Sequence, residues 1–365
     1  MHLNSLAILQ FKNYGKLKLA FGKQVVCFTG HNGAGKTNLL DAIYYCCMGK
    51  SYFHSTDQHN IQHGLDFFRL DANIELAADA MQLKCVYQTG KRKELELNEL
   101  AYDRLSDHVG RFPVVIVTPD DNILINGTSE ERRRFLDMTA SQIDHSYLNA
   151  LQAYTRILTQ RNALLKKALE TGRLDKSMLL VYDDELVVHA QLIHQKRQAF
   201  ITELTPDFNS VYAAISGDRE QVGLEYSSPL NEKSLAEILK QNFERDRAMG
   251  RTSSGTHRDD LELMMDGHTV RRFGSQGQQK SFLIALKLAQ YQLLFRHKGI
   301  KPFLLLDDIF DKLDAGRSAR LLHHISDASF GQIFITDTQR ARIEAIFTGH
   351  PSPPEIFEVE GGVLM

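Results

Sequence analysis

The chain has 365 residues, 43% hydrophobic and 24% charged, with a formal net charge of −2. That is longer than one core usually organises, so two lobes are expected, and the charge balance excludes a strongly basic nucleic-acid binder, although a local stripe of Lys and Arg would suffice for one. Cys27, Cys46, Cys47 and Cys85 form no C-x-x-C pair or zinc spacing, and neither a signal peptide nor a membrane-spanning run is found, so a cytoplasmic protein with buried reduced thiols is expected.

Leu3 to Leu19 alternates apolar and polar residues with a break at Asn13-Tyr14-Gly15, the pattern of two strands and a turn. Val25 to Thr29 is a short buried strand that runs into a glycine-rich loop. Lys36 then opens a helix with apolar positions at Leu39, Leu40, Ile43, Tyr44 and Cys47, stopped by Gly49. Phe68 to Leu97 is β-rich, with a hairpin turn at Thr89-Gly90-Lys91, and Val114 to Val117 is another buried strand, ended by Pro119. Thr128 with Glu131 is a capping box opening a mostly helical stretch. One stripe runs through Tyr147, Leu151, Tyr154, Leu158, Leu165 and Leu169. A second runs through Leu179, Tyr182, Leu186, Ile193, Phe200 and Leu204, with Pro206 as its expected end. Together they predict a long antiparallel helical hairpin, packed within the molecule rather than as a dimeric coiled coil. From Gly255 the α/β character returns: a helix from Ser275 to Phe295, then buried strands at Phe303–Leu306 and Ile333–Thr336.

Three motifs carry chemistry. Gly30-His31-Asn32-Gly33-Ala34-Gly35-Lys36-Thr37, followed by Asn38, is a phosphate-binding loop between a strand and a helix. Its glycines let backbone N–H groups face phosphate oxygens, and the helix adds its positive dipole end. Lys36 is the candidate for neutralising the β- and γ-phosphates, and Thr37 for binding Mg²⁺. Asp307 and Asp308 stand at the carboxyl end of a buried strand, where open parallel sheets bind ligands. There Asp307 is the candidate for holding the metal through water, and Asp308 for polarising the attacking water or accepting its proton. Ser275-Gln276-Gly277-Gln278-Gln279 opens a helix and offers a hydroxyl and amide groups to an anion. By itself that motif would be a polar helix cap.

Taken together, these motifs resemble the SMC-like branch of ABC ATPases, and Ser275 to Gln279 resembles its signature motif. Phe11-Lys12-Asn13-Tyr14 looks like that branch's F-R-N-Y element. Glu131 to Asp137, Gly255 to Asp260 and Ser275 to Lys280 resemble the RecF family of recombination mediators. The resemblance implies an α/β, ABC-type, SMC-head-like P-loop ATPase domain split by a mostly helical lobe. Its expected parts are residues 1–125 as the first part of the ATPase lobe, 126–274 as the helical lobe, and 275–365 as the signature helix, acidic strand and return to the ATPase lobe. It further implies two ATP molecules sandwiched in a homodimer, with Ser275, Gly277 and Gln278 facing the partner's phosphate loop. DNA binding at single strands and gapped duplexes, and cooperation with RecR, RecO and RecA in repair, are implied as well. Asp311-Lys312-Leu313-Asp314 keeps only Leu313 and Asp314 of the family's S-E-L-D-like run. Asp337 stands where many ABC ATPases have a switch histidine, and Asp308 replaces the glutamate common in transporters, from which slow turnover is expected. Lys91-Arg92-Lys93, Arg132 to Arg134, Lys166-Lys167, Lys196-Arg197 and Arg271-Arg272 are the basic groups. Arg132 to Arg134 open a helix, an unfavourable end for cations, which points there to a partner anion or a carboxylate network.

Overall fold

The computed structural model describes residues 1–217, 220–310, 316–317, 320–321, 330–348 and 353–364. The chain divides into two compact units. The first comprises Met1–Asp121, Ser210–Arg219 and Ser275–Met365, and the second Asn122–Asn209 and Glu220–Gly274. Among the described residues no helix is long and apolar enough to cross a membrane.

The first unit holds two six-stranded sheets. One is antiparallel, ordered β2-β1-β4-β5-β6-β7, from β1 (His2–Phe11), β2 (Tyr14–Ala20), β4 (Phe67–Leu76), β5 (Asp79–Gln88), β6 (Glu94–Leu97) and β7 (Leu100–Ala101). The expected turn at Thr89 to Lys91 does join β5 to β6. A tighter hairpin between β4 and β5 escaped sequence reading. It closes on Ala77 and Ala78, both at positive φ (51° and 73°), with no glycine or asparagine to announce it. The other sheet is ordered β15-β14-β3-β13-β12-β8. Its members β3 (Val25–Thr29), β8 (Val114–Val117), β12 (Phe303–Leu306), β13 (Ile333–Asp337) and β14 (Glu355–Glu360) run parallel, and β15 (Val363–Leu364) is an antiparallel edge. Strands β3, β8, β12 and β13 are buried at every position, which explains their unbroken apolar sequences. Helix α1 (Lys36–Met48) follows β3. It buries nearly its whole circumference, Asp41 and Tyr45 included, so its apolar spacing understated its burial.

The second unit is built on α3 (Ser129–Ile143), α4 (His145–Thr171) and α5 (Lys176–Ser216), of which α5 continues into Ser210–Arg219 of the first unit. The capping box of Thr128 and Glu131 is present. Helices α4 and α5 form the antiparallel hairpin: Arg161 pairs with Asp183, while Arg197 meets Tyr147, so the two pairs run in opposite order along the helices. Tyr147, Ala150, Tyr154 and Ile157 of α4 share a core with Leu186, Ala190 and Ile193 of α5. Leu169, expected in this stripe, is instead 55% exposed. Pro206 does not end α5, which continues ten residues past it to Ser216. Burial of Phe208, Val211, Tyr212 and Ile215 outweighs the lost N–H and the ring's clash with the preceding turn. The unit also contains a three-stranded antiparallel sheet, β11-β10-β9, of β9 (Val222–Ser227), β10 (Asp260–Met265) and β11 (His268–Thr269). The unit is mostly helical, as expected, with this small sheet beside the helices.

Candidate phosphate-binding site

Because β3, β13, β12 and β8 are parallel neighbours, their carboxyl ends share one edge. Each end delivers something polar: the glycine loop after β3, Thr336 and Asp337 at β13, Asp307 and Asp308 after β12, and Asp121 beyond β8. An open α/β sheet places ligands at such an edge.

Several carbonyls of the glycine loop are occupied, by the loop's own Lys36 and by side chains packed against it. Lys36 Nζ donates to the carbonyls of Gly30 (2.8 Å) and His31 (3.0 Å). The Tyr14 hydroxyl donates to Gly35 O at 3.0 Å, and burial pushes that phenol's pKa up, keeping it a donor. The Ala34 and Asn38 N–H groups bond to His31 O (3.2 Å) and Gly35 O (2.9 Å), and the other loop amides are the candidates for an anion. Close approach makes two glycines obligatory. A Cβ on Gly30 would sit 2.2 Å from Val359 O, and one on Gly35 2.3 Å from Asn13 Nδ2. Gly33 faces open space, the room a phosphate requires. The Phe11 to Tyr14 element thus supports the loop, and Lys12 anchors it through a buried ion pair with Asp41 of α1 at 2.6 Å.

The structure brings Asp307 to the start of α1. The Thr37 hydroxyl lies 3.0 and 2.9 Å from its two carboxylate oxygens. Sequence reading missed Thr336. Its hydroxyl donates to Asp307 Oδ1 at 2.6 Å and accepts from the Asp308 N–H at 2.9 Å, ordering both acids at once. The available signal was a polar residue ending a buried apolar strand, next to Asp337. Asp337 accepts from Gln339 N at 2.7 Å. Asp308 stands at φ 43°, an uncommon value for a non-glycine residue. Burial raises the Asp307 pKa against the hydrogen bonds from Thr336 and Thr37, so this carboxylate sits in a site that favours a nearby positive charge. Among the described residues no cluster of three or more His, Cys, Asp or Glu could hold a metal. A hydroxyl beside one carboxylate fits a hard cation that keeps water and substrate oxygens, as Mg²⁺ does.

Ser275 is brought elsewhere. It caps α9 (Gln276–Lys298) in a reciprocal box, accepting from Gln278 N while Gln278 Oε1 accepts from Ser275 N. Further along α9, Lys287 pairs with Asp121 just past β8, and the Tyr291 hydroxyl accepts from Gly331 N just before β13. The helix therefore runs opposite to the strands. Ser275 stands about 18 Å along the axis from Lys287, on the carboxyl side. Gly277 tolerates a Cβ, which would meet only Arg317 Nη1 at 3.7 Å, so steric need does not explain this glycine. Asp311 to Asp314 lie outside the described residues.

Most of the basic groups turn out to be structural. Lys93 pairs with Asp57 at 2.8 Å. Arg132 grips Asp260 with two bonds (2.6 and 2.9 Å), and Arg133 donates to Asp259 O at 2.6 Å. The buried Arg197 binds Asp137 and Asp259, each at 2.7 Å. Arg132 thus meets a carboxylate, as one of the two alternatives had it, whereas Arg133 meets a main-chain carbonyl. Lys166, Lys167, Arg271 and Arg272 are exposed. All four cysteines are free and buried.

Residues 2–347 match the family described as the RecF/RecN/SMC N terminal domain. The chain is 45% identical to the DNA replication and repair protein RecF of Flavobacterium johnsoniae, over 98% of this chain and 100% of that one. It is 42% identical to the same-named protein of Bacteroides thetaiotaomicron, over 100% of this chain and 98% of that one. A solved structure of the recombination mediator protein RecF-ATP in the RecFOR pathway is similar with a TM-score of 0.88 at 28% identity, covering 100% of this chain and 96% of that one. An Smc head bound to the C-terminal winged-helix domain of ScpA, 16% identical with a TM-score of 0.59 over 100% of this chain and 96% of that one, shares the fold.

Proposed function

The chain belongs to the RecF family, and from that premise we propose that it is an ATP-dependent DNA clamp of recombinational repair and replication. Its relatives carry the name of DNA replication and repair proteins, and the similar solved structure holds ATP in the RecFOR pathway. The carrying observation is the pairing of Thr37 with Asp307 at 2.9 Å beside the glycine loop.

In this reading the amides from Asn32 to Asn38, with Gly30, His31 and Ala34 shaping the loop, cradle the β- and γ-phosphates. Lys36 leaves the carbonyls of Gly30 and His31 to neutralise them. Thr37 and Asp307 hold Mg²⁺, which when bound supplies charge neutralisation across the phosphates. Asp308 orients the attacking water and takes up its proton. Its shorter side chain, compared with glutamate, makes turnover slow. Ser275, Gly277 and Gln278 complete the site of a second copy, so ATP holds a homodimer together. The dimer binds single-stranded and gapped DNA and acts with RecO and RecR to load RecA. Exposed Lys and Arg contact phosphates, so affinity falls with salt.

The test is sedimentation with ATP and gapped DNA. Wild type dimerises with ATP, Lys36→Ala does not bind ATP, and Ser275→Ala binds ATP yet stays monomeric. Unchanged dimerisation by Ser275→Ala would refute the trans role.

A further inference from the structure

We infer that the C-terminal hairpin, β14 with β15, is a positioning element for the phosphate nest and that Gly362 is its working residue. This rests on the ATP-binding reading above and adds to it a part of the chain that no motif marks.

The argument is one of carbonyl accounting. A phosphate nest works only if its carbonyls are held outward. Gly30 is held by Lys36, His31 by Lys36 and the Ala34 N–H (3.2 Å), and Gly35 by Tyr14 and the N–H groups of Asn38 (2.9 Å) and Leu39 (3.2 Å). The remaining restrained carbonyl, that of Ala34, accepts from two donors: Asn13 Nδ2 at 3.3 Å and the backbone N–H of Gly362 at 3.2 Å. Strand β14 pairs with β3 from Glu355 opposite Val26 to Glu358 opposite Thr29, so the hairpin arrives under the loop in fixed register. Val359 O then lies so near Gly30 that no Cβ fits between them. The loop is thus bounded at Gly30 by Val359, and held at Ala34 between Asn13 and Gly362. Asn38 Nδ2 donates to Asn13 Oδ1 at 2.7 Å, tying the same clamp to the first turn of α1. Lys36 must release its two carbonyls to meet a phosphate, whereas the Ala34 clamp involves no group the phosphate needs. It therefore persists when nucleotide binds and sets the loop's shape.

The hairpin carries its own control. Gly361 and Gly362 both adopt positive φ, 56° and 83°, so alanine strains the backbone at either. A Cβ on Gly361 meets nothing within 4 Å. One on Gly362 falls 2.9 Å from Asn13 O and 3.3 Å from Asn13 Nδ2. Full-length Gly361→Ala and Gly362→Ala are compared with wild type for equilibrium binding of ATP and ADP, ATP turnover and melting. Gly362→Ala is expected to weaken both nucleotides about tenfold and raise KM alike, with kcat within about twofold and melting matching Gly361→Ala. Gly361→Ala should bind as wild type does. Asn13→Ala, which removes one donor without adding a Cβ at the turn, should weaken binding severalfold and serves if Gly362→Ala does not fold. Equal nucleotide affinity in Gly361→Ala, Gly362→Ala and Asn13→Ala overturns the inference. Wild type that binds no ATP overturns the ATP reading itself.

Discussion

Thr336→Val replaces the hydroxyl between Asp307 and Asp308 with a methyl of nearly the same size. The hydroxyl is fully buried, so water cannot take its place. Asp307 loses a charge-assisted hydrogen bond of 2.6 Å, worth about 1.5–3 kcal/mol. The Asp308 N–H loses its bond to the hydroxyl at 2.9 Å, worth about 0.5–1.5 kcal/mol. Asp308 already sits at φ 43°, a conformation that costs on the order of 1–3 kcal/mol and persists only where its surroundings enforce it. With the acceptor gone, that residue relaxes and its carboxylate moves. A displacement near 1 Å at a reacting group costs roughly a hundredfold in rate. The nest itself is untouched. Steady-state ATP hydrolysis should therefore show kcat down about a hundredfold, while equilibrium ATP binding stays within about threefold. Thr336→Ser, which keeps the hydroxyl, should retain most activity. A Thr336→Val protein with kcat within about threefold of wild type would refute the claim that Thr336 positions the acid pair.

Two further changes test the site and the fold. Burial raises the Asp307 pKa, so between its unfolded and folded values the folded state binds the proton more tightly. Its effect on stability is thus most favourable at low pH and becomes a penalty as pH rises through the raised value. Asp307→Asn removes that penalty: its melting point should exceed wild type at pH 8, the gap should shrink toward pH 4, and turnover should vanish. A gap independent of pH would count against the assignment. Pro206→Ala restores the N–H of an interior helix position and removes the ring clash, so chemical denaturation should show a gain of about 1–3 kcal/mol; no gain would mean that α5 is already adapted to the proline.

What the sequence reveals here follows the distance between the cooperating residues. The glycine loop, Thr37 and the acid pair were legible because each is written in one short run between a buried strand and its successor. Thr336 was not, since its importance arises only when β13 is placed between β3 and β12. The supports of the loop are harder still, because Asn13, Tyr14 and Gly362 come from opposite ends of the chain. Local rules failed where burial overrode them: Pro206 stays helical, and Ala77-Ala78 turns without glycine. The arginines of α3 were ambiguous for the opposite reason. Their chemistry is plain from sequence, yet Arg132 finds its carboxylate in Asp260 and Arg133 its carbonyl in Asp259, more than a hundred residues later.

The two anion receptors proposed for this chain differ in how they are prepared, and that difference bears on the proposed clamp. The nest keeps its carbonyls occupied, with Lys36 resting on two of them, so nucleotide entry exchanges one set of hydrogen bonds for another. The end of α9 is already organised by the Ser275–Gln278 box. The first-turn amides of Gln276 and Gly277 point along the axis without intrahelical acceptors, as helix geometry requires. An organised helix end loses little entropy on meeting an anion, so its contribution goes mainly into association. A nest that reorganises and a helix end that does not form a receptor pair suited to sequential use. The nest is filled first, and only a phosphate still exposed at its mouth is then available to a helix end from another copy. On this argument the γ-phosphate, not the adenosine, would govern the proposed dimerisation.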